Sequence, residues 1–65
     1  MEKHELAKIR NHLGKTQKQL AQLLGVSLKA VKSFEQGWRN IPAYIEKQVL
    51  FLLVAKEALN KNNKP

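Results

Sequence analysis

Apolar residues recur along this chain every three or four positions and nowhere alternate singly, a pattern that predicts helices and no strands. The first predicted helix runs from about Glu2 to Leu13, with Leu6, Ile9 and Leu13 on one stripe, and Gly14 stops it. The second runs from Gln17 to Leu24. Thr16 is a good N-cap for it, and Gln19 three residues on completes a capping box. Leu20, Leu23 and Leu24 face one way with Ala21 beside them, Lys18 and Gln22 face the other, and Gly25 ends the helix. Ser27 can cap a third helix from Leu28 to about Gln36, which Gly37 closes. A loop follows, Trp38-Arg39-Asn40-Ile41, and Pro42 then stands where a first helical residue is favoured. From Ala43 to about Asn60 neither Gly nor Pro interrupts, which predicts one long helix or two nearly continuous ones. The expected architecture is all-α: a domain over residues 1–60 and a polar, disordered tail over residues 61–65.

Size and composition narrow the class. A chain of 65 residues makes one small domain, and 43% hydrophobic residues suffice for a core. Without Cys there is no disulfide framework, Cys-ligated zinc or thiol nucleophile, which fits a cytoplasmic setting. The longest apolar run, Val49 to Ala55, is seven residues, far short of a membrane span. Met1 to Glu5 lacks the apolar stretch of a secretory leader, so none is expected. A two-domain enzyme, a secreted mini-protein and a membrane protein are excluded. His4 and His12 are eight apart with no third ligand nearby, so no metal site is expected. No acid pair, nucleophile–base arrangement or phosphate-cradling glycine loop exists, and neither catalysis nor a cofactor nor a small-molecule ligand is expected.

Charge adds a direction. Twelve Lys and Arg against five Glu give a net charge of +7, and from Lys8 to Arg39 seven basic residues face a single acid, Glu35. A small body with that field attracts polyanions, nucleic acid first and an acidic surface or protein second. On a helical wheel of the third helix, Leu28, Lys29, Lys32, Ser33 and Gln36 fall within one arc of roughly 140°. Ala30, Val31 and Phe34 fall opposite and can dock on the second helix. The outward arc is cationic and hydrogen-bonding, and the positive end of the helix dipole adds to it. Such a helix fits a DNA major groove, about 12 Å wide.

The spacing between the second and third helices is more specific. Gln17, Ala21, Gly25 and Val31 stand at offsets of zero, four, eight and fourteen. Ala21 is small where two helices cross closely, Gly25 allows the positive φ of a tight turn, and Val31 plugs the angle between the helices. That is the helix-turn-helix pattern. From Leu6-x-x-Ile9-Arg10, through Thr16-Gln17-Lys18-Gln19-Leu20-Ala21 to Gly25-Val26-Ser27, and on through Val31-x-x-Phe34-Glu35-x-Gly37-x-Arg39-Asn40-Ile41-Pro42, the chain resembles the Cro/XRE family of lambda-repressor-like regulators. The resemblance covers about residues 5–53. It implies a compact four- or five-helix domain that binds double-stranded DNA and acts as a dimeric transcriptional regulator of prokaryotic or phage type, a repressor in the cytoplasm.

Residue by residue, the resemblance places Leu28, Lys29, Lys32 and Ser33 at base-reading positions. It places Gln17 at a phosphate, and Arg39 and Asn40 beside the sugar-phosphate chain; Thr16 and Gln36 complete the expected backbone-contacting set. Arg10 and Glu35 match a pair that joins the first helix to the third in many members, and Arg10 lies only about 40° from the Leu6 stripe, on the side such a bond needs. Two residues depart from the family pattern. Leu28 stands where relatives carry a polar base reader; it either meets a thymine methyl or folds back onto the core. Trp38 fills a position usually small or basic; packing over the loop to pin Arg39 is favoured over stacking on nucleic acid.

The last helix has two apolar sides. Ile45, Val49 and Leu52 form a stripe that closes the core, while Leu50, Phe51, Val54 and Ala58 lie largely on the other side. Each large side chain gains roughly 1.5–3 kcal/mol on burial, so a homodimer through this second face is expected, bound to a two-fold operator. The alternative is a bent or broken helix that tucks every apolar residue into one core. An antitoxin-type module, whose long helix grips a protein partner, and an RNA-binding domain are the rival functions. The absence of an aromatic stacking platform disfavours RNA.

Overall fold

A computed structural model describes residues 1–62, with side chains through residue 59. Four helices and no strand occur among the described residues: α1 (Lys3–His12), α2 (Gln17–Leu24), α3 (Leu28–Gln36) and α4 (Ala43–Asn62). Each of the first three begins on a side-chain cap. Thr16 and Gln19 exchange the two bonds of the expected capping box, 3.0 and 2.9 Å long. Ser27 Oγ accepts from the Ala30 N–H at 3.0 Å. At α1 the cap is Glu2, paired reciprocally with Glu5. The bond from the His4 N–H holds the Glu2 carboxyl below the usual carboxylate range.

Two of the turns between helices show most plainly how glycine shapes the chain. Gly25 takes φ +71° and Gly37 takes φ +81°, the left-handed conformation that a Cβ disfavours. At Gly25 the Val26 N–H reaches back to the Ala21 carbonyl at 3.0 Å, which satisfies the end of α2 and turns the chain sharply into α3. Pro42 stands one residue before α4 rather than inside it, and its carbonyl accepts from the N–H groups of Ile45 and Glu46.

One core joins the helices: Leu6, Leu20, Ala21, Leu24, Ala30, Val31, Phe34, Ile45 and Val49, with Ile9, Val26, Ile41 and Leu52 at its margin. Leu23 departs from expectation. It faces outward beside α4, 52% exposed, because the core is narrower than the arc from Leu23 to Leu24. Helix α1 lies along α4 in the same direction, since Met1 meets Glu46 and His12 meets Glu57, both 45 residues on. The Glu46 carboxylate, 2.6 Å from the Met1 amine, raises that amine above its ordinary value. Lys56 donates to the His12 carbonyl at the far end.

Helix α4 is unbroken, so no bend tucks its second face inward. Phe51 is 70% exposed, and Leu50, Val54, Ala58 and Leu59 are also exposed. Lys61 and Asn62, which the sequence assigns to the tail, continue the helix; residues 63–65 lie outside the described residues. Among the described residues no helix is long and apolar enough to cross a membrane.

The turn at Gly25 gives a direct test of this geometry. No atom lies within 4 Å of where its Cβ would stand, so Gly25→Ala should carry only the backbone strain. That strain is about 1–2 kcal/mol, a fall of several degrees in melting temperature for a domain this small. Gly25→Asn should cost less, because Asn tolerates the left-handed region. Equal melting temperatures for Gly25→Ala and the parent would contradict the turn.

Candidate nucleic-acid interface

The candidate interface starts from a hydrogen-bonded node below it. Arg10 on α1 grips Glu35 on α3 at two points, Nε to Oε2 at 2.7 Å and a terminal nitrogen to Oε1 at 3.1 Å. Both side chains are largely buried, 15% and 7% exposed. The Gln17 amide, at the start of α2, donates to the same Oε1 at 3.0 Å. A further Arg10 nitrogen donates to the Lys15 carbonyl at 3.0 Å, holding the chain just before α2. Three helices thus meet at one carboxylate. Bidentate geometry fixes direction as well as distance, so the node sets the angle at which α3 leaves the body. The sequence implied the Arg10–Glu35 contact but not the share of Gln17, because a Gln at a helix start reads equally well as a solvent or phosphate donor.

Above the node, Lys29, Lys32 and Gln36 are exposed along the outer side of α3, with Leu28 half-buried at its start. Ser33 is not with them: it is 7% exposed. It lies at the edge of the outward arc, and the loop after α3 folds back on it, the Trp38 and Arg39 N–H groups donating to the Ser33 carbonyl at 2.9 and 3.4 Å. This low exposure sets Ser33 apart from the exposed α3 residues expected to read bases with it. Thr16, Arg39 and Asn40 are exposed, and Gln17 is half-buried in the node. The Arg39 guanidinium lies over the Phe34 ring, 5.3 Å from its centre, which steadies the charge without a carboxylate to neutralise it. Phe34, not Trp38, is therefore the support of Arg39. Trp38 is 77% exposed, so the favoured packing over the loop does not occur.

One contributor was missed in the sequence. Lys3, in the first turn of α1, lies across Gly37, its Cδ 2.8 Å from where a Cβ would stand. It brings a second cation to the loop that carries Arg39. The signal was faint: Lys3 precedes Leu6 by one helical turn, a position that otherwise reads as a solvated end.

Electrostatics complete the surface. Glu35 is the only acid between Lys8 and Arg39, and Arg10 holds it inward. The remaining acids are engaged on α1 and α4, Glu2 and Glu5 in the cap, Glu46 with Met1 and Glu57 with His12. The exposed residues on the outer side of α3, Lys29, Lys32 and Gln36, are consequently cationic or amide, with no acid among them. Among the described residues no cluster of acids and histidines could hold a metal ion.

Comparison with known families matches the helix-turn-helix model to residues 6–45, more than half of the chain. This chain belongs to the Cro-type helix-turn-helix family. As a member it is a DNA-binding domain of the transcription-regulator type, with α2 and α3 as the two helices of the motif. No curated protein and no solved structure matches it.

The node at the base of the helix-turn-helix predicts a non-additive mutational pattern. Glu35→Ala strands the mostly buried Arg10 and should cost about 3 kcal/mol, while Gln17→Ala should cost about 1 kcal/mol. The double variant should cost scarcely more than Glu35→Ala alone, since Gln17 has by then lost its acceptor. Urea denaturation of the three variants measures this, and strict additivity would break the node as described.

Proposed function

We propose that the chain is a transcriptional repressor that binds a two-fold operator as a homodimer in the cytoplasm. The observation that carries the reading is the inward capture of Glu35, which leaves Lys29, Lys32 and Gln36 facing out with no acid among them. In this reading α3 lies in the major groove. Lys29 and Lys32 reach base edges or adjacent phosphates, and Leu28 supplies apolar contact for a thymine methyl. Thr16, Gln17, Gln36, Arg39 and Asn40 serve the sugar-phosphate chain. Gln17 spends one amide hydrogen on Glu35 and keeps the other for a phosphate oxygen. Backbone contacts supply register and affinity; the few side chains of α3 supply sequence choice.

The second copy docks on the outer face of α4. Leu50, Phe51, Val54 and Ala58 stand exposed at helical spacing, and Leu23 of α2 borders the same side. Burying such a patch twice about a symmetry axis favours a pair. The pair would hold two α3 helices about 34 Å apart, one turn of DNA.

Two experiments test the reading. Lys29→Ala and Lys32→Ala should weaken duplex binding while stability moves by less than about 0.5 kcal/mol. A base contact would relax preference at one position of a selected site; a phosphate contact would lower affinity evenly. Unchanged binding in both variants would remove α3 as the reader.

Phe51→Glu should give a folded monomer by sedimentation. With on the order of four phosphate contacts per protomer, its log–log salt slope should fall from about −7 to about −4. A parent chain that sediments as a monomer at tens of micromolar would remove the interface, and would turn the α4 face toward an antitoxin-type protein partner.

A further inference from the structure

Trp38 is the only tryptophan in the chain and the most exposed of its large hydrophobic residues. An indole left in water is unfavourable by its area, and an ordinary flexible loop would fold it onto the nearest apolar surface. The Phe34 ring is buried in the core with the Arg39 guanidinium over it, so it offers the indole no open face. The backbone also prevents collapse. Gly37 turns left-handed at φ +81°, and the Trp38 and Arg39 N–H groups both close on the Ser33 carbonyl, so the indole is carried on a fixed turn. Lys3 fills the other side of that turn against Gly37. The result is a large aromatic presented outward, two residues beyond Gln36 at the end of α3, with Arg39 and Asn40 exposed after it.

We propose that Trp38 is a DNA-contacting residue, its ring lying against a deoxyribose of the strand that flanks α3 and its indole N–H donating to a phosphate oxygen. The proposal rests on α3 as the groove-reading helix. Its chemistry fits the surroundings. Indole has a donor and no acceptor, which suits a phosphate oxygen. A sugar offers an apolar face that needs no particular base, so the contact adds affinity and positioning rather than sequence choice. The neighbouring cations Arg39 and Lys3 draw the same strand to the loop.

Because the chain has one tryptophan, its fluorescence reports on this residue alone. The test uses the full chain and a fluorescein-labelled random-sequence duplex at low salt, with binding read by the label's anisotropy. A second titration with unlabelled duplex reads tryptophan emission and quenching by neutral acrylamide. The free protein should emit as a solvated indole. Saturating duplex should change that emission and protect it from acrylamide at least threefold. Trp38→Ala should raise the duplex dissociation constant by roughly 5- to 30-fold with its melting temperature unchanged. Trp38→Phe, which keeps a ring and loses the donor, should fall between. Binding by anisotropy with emission and quenching unaltered would overturn the role of Trp38 and leave α3 as reader. Absence of binding would overturn both. An emission shift that follows protein concentration without DNA would also overturn it, by assigning the indole to self-association.

Discussion

The position of one carboxylate governs this molecule. Glu35 sits on α3 with its outer neighbours aimed at solvent, yet it turns inward to meet Arg10 and Gln17. Stripping a carboxylate and a guanidinium of water costs several kcal/mol each, and the mutual attraction repays this only with good geometry. Here the pair is bidentate, Gln17 adds a bond to the carboxylate and Lys15 accepts one from Arg10. No buried side-chain nitrogen or oxygen among the described residues lacks a partner. Three leucines in place of these residues would hold the helices together as well. They would not fix the angle of α3, because dispersion is indifferent to direction where two hydrogen bonds are not. The same bonds remove the one negative charge that would oppose a phosphate.

Helix α4 answers to a different constraint. Its inner register, Ile45 and Val49, is fully buried, and polar contacts to α1 at Met1 and His12 hold it at both ends. A helix pinned along one line cannot rotate to bury a second line. Phe51 and Val54 therefore remain outside whatever their hydrophobicity, and only another surface can cover them. Long helices that are apolar all round are normally enclosed, and three short helices provide enough surface to enclose one side.

Local signals made most of the fold legible. The caps Thr16 and Ser27 and the stops Gly14, Gly25 and Gly37 mark the ends of α1, α2 and α3 to within a residue or two, because each acts on neighbours a few positions away. What escaped was decided by distant parts of the chain. Ser33 lies on the outward arc by period, yet it is among the buried residues. Leu23 belongs to the apolar face of α2 by period, but the core closes beside it at Leu24. Trp38 stands exposed while Arg39 lies over the Phe34 ring, an arrangement that no spacing reveals. Period tells which side a residue faces; it does not tell how far the neighbouring element reaches.

The size of α3, the proposed reading helix, sets the terms on which such a domain can be selective. Helix α3 has nine residues, and only Leu28, Lys29, Lys32 and Gln36 reach its outer side. A good base contact discriminates by about 1–3 kcal/mol, so two or three of them give roughly 2–9 kcal/mol. Specific binding generally exceeds non-specific binding by about 4–10 kcal/mol, which one protomer reaches in full only if every contact is near its best. Two ways of closing the gap are open. More cations raise affinity for every sequence alike and do not raise the ratio. A second reading helix held at fixed spacing adds its own discrimination to the first while the cost of bringing protein to DNA is met once. In the proposed dimer, the exposed face of α4 and the fixed setting of α3 serve together for that reason. Spacing between two readers is only as exact as the angle each makes with its own body, and that angle is what Arg10, Gln17 and Glu35 hold.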